Sequence, residues 1–119
     1  MLFRPLFILQ PISTKLGTIG EGLGFEGVSP SVGISLDTWQ NLRRNDPPYD
    51  HISIQLNGAV THGNDLAGPV PVSATSDNIE DCQWHVLRIK WDAAAKTLTA
   101  YFDGQFRLQA QYDLVQKVF

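Results

Sequence analysis

The segment Val32-Gly-Ile-Ser-Leu-Asp-Thr-Trp39 alternates apolar and polar side chains with the two-residue period of a β-strand. The segment His51-Ile-Ser-Ile-Gln-Leu56 repeats this alternation. Asn57-Gly58 follows at once and favours a tight turn, because both residue types tolerate a positive φ. These residues predict two strands and a hairpin that continues from the second strand into residues 59–62.

Further strands are predicted on either side of this region. Trp84–Trp91 and Thr97–Phe102 alternate in the same way, and Asp103-Gly104 marks a hairpin into residues 105–110. Residues 7–12 supply another short strand. Helix is minor, with room for one turn at residues 93–96 and an ambiguous segment at 114–119. Six or seven short strands separated by Gly- and Pro-rich loops predict an all-β antiparallel sandwich or barrel.

Composition excludes several classes of protein. The chain has 119 residues, enough for one domain, with 9 Lys and Arg against 12 Asp and Glu. The basic residues are dispersed, which argues against nucleic acid as a partner. No apolar run approaches the roughly 20 residues that cross a bilayer, so membrane insertion is not expected. The single Cys82 rules out an internal disulfide and a cysteine-based zinc cluster.

The loop between the two central strands is rich in oxygen donors. It contains or adjoins Asp37, Asn41, Asn45, Asp46, Asp50 and His51. Carboxylates, amides and carbonyls on one loop suit Ca²⁺, and the imidazole suits a second, transition-type ion such as Mn²⁺. An EF-hand beginning at Asp37 is excluded, because Leu42 replaces the required Gly and Pro48 the closing Glu. The alternative is that Asp37 and Asn41 only shape turns.

Other polar and aromatic residues are assigned by their place in the pattern. We expect Trp84, Trp91 and Phe102 to be core residues, and Trp39 in its loop to be better placed on a binding surface. His62 and Asp65 lie near a glycine and could act as ligands, but a solvated loop is the favoured interpretation. Cys82 is expected to be a small, half-buried side chain rather than a catalytic thiol.

Several stretches resemble a known family when they are taken in order. They are Gly22-Leu-Gly-Phe-Glu-Gly-Val-Ser-Pro-Ser-Val-Gly-Ile-Ser-Leu-Asp-Thr-Trp-Gln-Asn41, Asp46-Pro-Pro-Tyr-Asp-His-Ile-Ser-Ile54, Asp65-Leu-Ala-Gly-Pro69, and residues 79–91 and 96–104. This order is similar to the legume-type (L-type) lectins, and most closely to the bacterial L-type lectin-like domains. The resemblance implies a concanavalin-like jelly-roll β-sandwich, calcium-dependent glycan binding without catalysis, and an extracellular or cell-surface location.

The resemblance also implies a set of metal ligands. Carried over by position, the Ca²⁺ ligands are Asp37, the Trp39 carbonyl, Asn41 and Asp46, and the residues facing a second ion are Asp37, Asp46 and His51. The family's first acidic ligand falls on Ser35, and a neutral hydroxyl cannot replace that carboxylate. The resemblance therefore predicts Ca²⁺ and makes Mn²⁺ or another transition metal doubtful.

The implied sugar site uses Asn41, an N–H near Gly22, and an aromatic platform, for which Trp39 is the candidate. Phe3-Arg4 stands where the family has an Asp-Gly pair, so a charge-assisted acceptor for sugar hydroxyls is missing. One alternative is therefore a truncated or degenerate lectin domain with a structural or interaction role. A glycosidase fragment is a weaker alternative, because the adjacent Glu80 and Asp81 would point to opposite faces of a strand.

The length also shapes the expected architecture. β-Sandwiches often reach about 200–250 residues as one unit. We therefore expect residues 1–119 to form a single partial domain, incomplete at both ends and lacking outer strands of both sheets. Exposed sheet edges of this kind favour self-association.

Overall fold

The computed structural model describes residues 5–119 as two antiparallel β-sheets with little helix. The strands are β1 (Leu6–Leu9), β2 (Val32–Asp37), β3 (His51–Leu56), β4 (Ala67–Pro71), β5 (Leu87–Asp92), β6 (Thr97–Phe102) and β7 (Gln105–Gln111). One helix, α1, covers Leu114–Lys117, and two 3₁₀ helices cover Gly20–Gly22 and Leu42–Arg44. The predicted all-β class is confirmed.

The strands form two sheets with orders β1-β2-β3-β4 and β5-β6-β7. Their apolar faces share one buried core, to which β2 and β3 contribute Ile34 and Ile54, and β6 contributes Leu98 and Ala100. The predicted sandwich is therefore present. Among the described residues, β4 is an edge strand, and its Pro69 and Pro71 are tolerated there because an edge position leaves one backbone side unpaired.

Strands β2 and β3 are buried on both faces. In their register Asp37 lies opposite His51 and Ser35 opposite Ser53, so these polar residues share the face that points away from the sandwich core. Loops cover this second face, and Phe25 packs directly over Gly33, where a Cβ atom would lie 2.8 Å from the ring. The result is a polar, buried surface between sheet and loops.

The predicted hairpin after β3 is wrong beyond its turn. Asn57 and Gly58 have the expected positive φ values of 56° and 73°. Residues 59–62 nevertheless form no strand, because Val60 packs with Phe25 in a second apolar cluster beneath the loops. The partner of β3 is instead β4, which begins at Ala67.

The predicted strand at residues 84–91 begins later, and Trp84 is not a core residue. Strand β5 starts at Leu87, and Trp84 is 99% exposed. The N–H of Val86 donates to the Asp103 carboxylate, and the Val86 carbonyl accepts from the Asp103 N–H. Val86 is therefore bonded to the β6–β7 turn, and regular pairing with β6 begins only at the next residue. Cys82 is also exposed rather than half-buried.

Other expected features of the second sheet are confirmed. Phe102 is buried, Trp91 packs against the same core, and the Asp103-Gly104 turn joins β6 to β7. The ambiguous C-terminal segment contains α1, while β1 ends at Leu9 and not at residue 12. Within residues 5–119, no helix has the length and apolar character needed to cross a bilayer.

Candidate metal centre and the loop surface above it

The candidate site lies on the polar face of β2 and β3. Asp37 ends β2 and His51 begins β3, and the two residues are direct cross-strand partners. The loop at residues 38–50 returns Asp46 to the same place. All three side chains are buried. The structure therefore places two of the predicted ligands, Asp46 and His51, within 3.7 Å of each other, and puts Asp37 at the cross-strand position opposite His51.

Backbone hydrogen bonds hold both carboxylates in place. Oδ1 of Asp37 accepts from the Trp39 N–H at 2.9 Å, and Oδ2 of Asp46 accepts from the Asn41 N–H at 2.7 Å. The Asn41 carbonyl in turn accepts from the N–H groups of Arg44 and Asp46. These bonds shape the turns of the loop. They also hold the Asp46 carboxylate so that its other oxygen, Oδ1, lies near histidine side chains.

A second histidine, His62, completes the cluster, and its assignment to a solvated loop is wrong. Its side chain is buried, and its Nε2 atom lies 3.2 Å from Asp46 Oδ1, to which His51 Nε2 approaches within 3.7 Å. One ligand atom from each of these three residues lies within 4.8 Å of the other two. The only available sequence signal was the His62–Asp65 pair, because nothing local indicates that residues 59–66 fold back over β3.

The carboxylates around His62 also change its protonation. Burial is the largest influence and lowers the pKa of His62, but the hydrogen bond and charge of Asp65, with the charges of Asp46 and Asp37, together raise this pKa above 6.5. The site is thus a buried pocket rich in negative charge, which favours a cation.

The loop surface above the cluster carries the candidate sugar-binding residues. Trp39 is 58% exposed, and the Asn41 amide donates to the Glu21 carboxylate. That hydrogen bond is the main cause that lowers the pKa of Glu21, aided by the charges of Arg43 and Arg44 and opposed by burial. Glu21 was not among the predicted residues, because its approach to Asn41 depends on how two distant loops meet.

Gly22 lies in the same loop but is buried. Its N–H is 3.4 Å from the Ile19 carbonyl, and a Cβ atom at this position would collide with the Thr18 hydroxyl. A larger residue here would displace the Thr18 hydroxyl, which donates a hydrogen bond to Glu26. The Phe3-Arg4 pair, which stands in the place of the family's Asp-Gly, lies outside the described residues.

Ion pairs join the loop that contains Gly22 to the loop at residues 38–50, which we call the metal-ligand loop. Arg44 contacts Glu26 at 2.6 Å and Glu21 at 3.4 Å, while the Thr18 hydroxyl donates to Glu26 at 2.7 Å. The Arg44 hydrogen bond is the main cause that lowers the pKa of Glu26. Charge pairing therefore positions Glu21 beside Asn41.

Two other polar residues of the loop have structural partners. Asp50 accepts a hydrogen bond from the Ile79 N–H at 2.7 Å, and the Asn45 amide donates to the His62 carbonyl at 3.2 Å. The first contact ties the loop to the segment before β5, and the second holds His62 over the cluster.

Sequence comparison finds two plant lectins. A galactose-binding lectin of Arachis hypogaea is 31% identical over 100 residues, which are 79% of this chain and 33% of that protein. Lectin-4 of Griffonia simplicifolia is 31% identical over 104 residues, 78% of this chain and 39% of that protein. The chain thus spans well under half the length of these relatives. No protein-family model matches the sequence.

Structural comparison finds the same kind of protein. Peanut lectin with a bound 9mer peptide superposes with a TM-score of 0.66 at 24% identity, over 96% of this chain and 49% of that one. A Bauhinia forficata lectin in complex with GalNAc gives 0.62 at 24% identity, over 97% and 52%.

Together these matches identify the class. The two sheets are those of a concanavalin-like jelly-roll sandwich. Within that class, the chain has the sequence and the fold of part of a legume-type lectin domain, as the resemblance predicted. Both sequence relatives are named lectins, in agreement with the predicted non-enzymatic class.

Proposed function

We propose that the chain binds glycans without catalysis and in a calcium-dependent manner, through the loop surface of Trp39, Asn41 and residues 20–22. One observation carries the proposal: Asn41 contacts the buried Asp46 carboxylate through its backbone and the surface residue Glu21 through its amide. The two similar lectins whose names state a galactose-binding activity and a GalNAc complex support glycans as partners. An extracellular or cell-surface location belongs to the same proposal.

Calcium would be held by Asp37, Asp46, the Trp39 carbonyl and Asn41. Both carboxylates are buried, and a buried charge is costly unless an opposite charge or hydrogen bonds balance it. Carboxylate, carbonyl and amide oxygens are the ligands that Ca²⁺ prefers. When bound, the ion would supply a crosslink between the end of β2 and the loop, and so reduce the cost of ordering Asn41 for a ligand.

The remaining chemistry belongs to side chains of the loop surface. The Asn41 amide has two N–H donors; one donates to Glu21, and the other is available to a sugar hydroxyl while the amide oxygen serves as the calcium ligand. Glu21 supplies a carboxylate beside Asn41, so a charge-assisted acceptor is available although Phe3-Arg4 replaces the family's Asp-Gly. The exposed Trp39 ring offers an apolar platform for the C–H face of a sugar.

Binding to immobilised galactose and GalNAc glycoconjugates tests the surface. We expect Asn41→Ala and Trp39→Ala each to weaken binding at least about tenfold, since one lost polar or stacking contact costs about 1–2 kcal/mol. Matched controls are Asn64→Ala and Trp84→Ala, which remove the same side chains at exposed positions that are not among the proposed binding residues. Equal losses in variants and controls would contradict the proposed surface.

Thermal unfolding tests the calcium ligands. We expect EDTA to lower the melting temperature of the wild type by several degrees, since calcium at about 100 times Kd stabilises by about 2.7 kcal/mol. In protein stripped of metal ions and reloaded with calcium alone, Asp37→Ala should abolish this sensitivity. If EDTA leaves the melting temperature of the folded wild type unchanged, the proposed calcium site is wrong. Sensitivity to EDTA without glycan binding would favour the alternative of a degenerate lectin domain with a structural role.

A further inference from the structure

One nitrogen atom in the buried cluster lacks a partner. His51 is 1% exposed, and its Nε2 atom has no hydrogen-bond partner within the described part of the chain. That atom points toward Asp46 Oδ1 at 3.7 Å, beyond hydrogen-bond distance. A buried polar atom left unpaired costs about 1–3 kcal/mol, so its presence here needs an explanation.

The other nitrogen of each ring determines what Nε2 can do. His51 Nδ1 lies 3.1 Å from the Tyr49 carbonyl, which can only accept, so Nδ1 carries the proton. His62 Nδ1 lies 2.7 Å from Asp65 Oδ2 and donates in the same way. In both neutral rings, Nε2 is then a lone pair directed at the Asp46 carboxylate.

Three acceptor atoms therefore face one another among buried side chains. A proton on His62 would satisfy its 3.2 Å contact with Asp46 but would leave His51 Nε2 unpartnered. A metal ion accepts all three lone pairs at once. Zinc with N and O ligands places neighbouring ligand atoms about 3.3 Å apart. Here Asp46 Oδ1 lies 3.2 and 3.7 Å from the two histidines, and all three ligand atoms lie within 4.8 Å of one another.

We propose that His62 joins Asp46 and His51, which the resemblance already placed at a second ion, in binding a transition-metal ion of the Zn²⁺ type. Two imidazoles with one carboxylate suit such an ion better than Ca²⁺, which prefers oxygen ligands. His62 supplies the ligand that Ser35 does not, because the Ser35 hydroxyl is paired with Ser53 at 3.3 Å. The site extends the proposed function at the same loop, since Asp46 belongs to both ligand sets.

The partners behind the histidines follow the pattern of metal sites. Metal-ligating histidines usually donate their second N–H to a carboxylate or a backbone carbonyl, which fixes the ring and raises its basicity. Asp65 and the Tyr49 carbonyl fill these roles. Asp65 is accordingly a positioning residue for His62.

Titration of the metal-free protein with Zn²⁺, against a chromophoric chelator, tests the site. We expect one tightly bound equivalent in the wild type and a loss of affinity of about 100-fold or more in His62→Gln. Asp65→Asn should weaken binding about 10- to 100-fold. The matched control is His85→Gln, because His85 also contacts two aspartates but lies outside the cluster. Co²⁺ should give the intense visible absorption of a four-coordinate site in the wild type and lose it in His62→Gln.

Several outcomes would overturn the proposal. They are no Zn²⁺ binding by the folded wild type, or equal affinities in His62→Gln and His85→Gln. Should His62→Gln fail to fold, an unchanged affinity in Asp65→Asn would have the same force. Asn41→Ala keeps the backbone contact to Asp46 and should bind Zn²⁺ normally, so lost glycan binding with intact zinc binding separates failure of the proposed function from failure of this site.

Discussion

Two histidines of this chain each contact two aspartates, and their surroundings give them different roles. His62 is enclosed with Asp46 and Asp65, whose side chains are almost fully buried. His85 bridges Asp81 and Asp103 at 2.7 and 2.6 Å, but these carboxylates are nearly half exposed. Water screens the second set, so its effect on stability is small and depends on pH.

The His85 contacts predict a pH dependence of stability. The hydrogen bonds to Asp103 and Asp81 raise the pKa of His85 above its unfolded value of 6.5, against a smaller effect of burial. The stabilisation is therefore complete below about pH 6.5 and is lost as pH rises through the folded-state pKa. When both proteins are measured in EDTA, the melting temperature should fall more for the wild type than for His85→Gln as the pH rises from about 6 to about 9. Equal losses would contradict this assignment, and high salt should reduce the difference.

Sequence reasoning placed some residues of the site and not others. Asp37 and His51 stand at the ends of strands with clear alternation, so their shared face was predictable. His62 and Glu21 reach the site from separate loops. Their positions depend on packing around Phe25 and on the Arg44 ion pairs, which no local pattern encodes.

The central strands β2 and β3 link the core to the site. Each carries apolar side chains on the face toward the second sheet and polar side chains on the face beneath the loops. The metal-ligand loop therefore begins and ends on the most buried strands of the molecule. This rigid base explains how short polar side chains can be held in fixed positions.

Truncation of a core residue should show how much these strands contribute. Ile54 is fully buried between the sheets, so Ile54→Ala should lower the free energy of unfolding by about 2–5 kcal/mol. Ile19→Ala is the matched control, because this side chain is 90% exposed and its loss should stay within about 0.5 kcal/mol. Urea unfolding measures both. A similar, small effect of the two changes would contradict the assigned core.

Alternation predicted strands well only where both packing and pairing supported it. Strand β4 was not predicted, because Ala67-Gly-Pro-Val-Pro71 has few residues with β-propensity and forms against the open edge of β3. Trp84 continues the apolar alternation but lies before β5, which begins at Leu87. The residue before β5, Val86, is bonded to the Asp103 carboxylate and not to a strand. Pairing partners, which lie far away in sequence, decided both cases.

An apolar pocket is also present at the scale of the whole molecule. A pocket of about 330 Å³ opens beside α1 between the sheets, and its lining includes Phe7, Trp91, Leu98 and Phe119. The described residues also leave β1, β4, β5 and β7 at sheet edges. Self-association through such surfaces stays a prediction, as does the expectation that the domain is incomplete.

The chain spans about half of the two solved lectin chains, with 49% and 52% coverage. The shared half includes the sheet that carries the metal-ligand loop and the surface of Trp39 and Asn41. Glycan binding by this chain therefore requires that these loops alone provide a sufficient site. That requirement is the central claim of the proposed function.

A glycan array probed with the folded wild-type chain tests this claim most directly. The chain should bind a defined set of glycans in calcium, lose them in EDTA, and regain the same set when excess calcium is restored. In calcium, Asn41→Ala should bind that set at least about tenfold more weakly than the wild type, while Asn64→Ala should match the wild type. Absence of glycan binding in calcium, or binding that EDTA leaves unchanged, would contradict a calcium-dependent lectin.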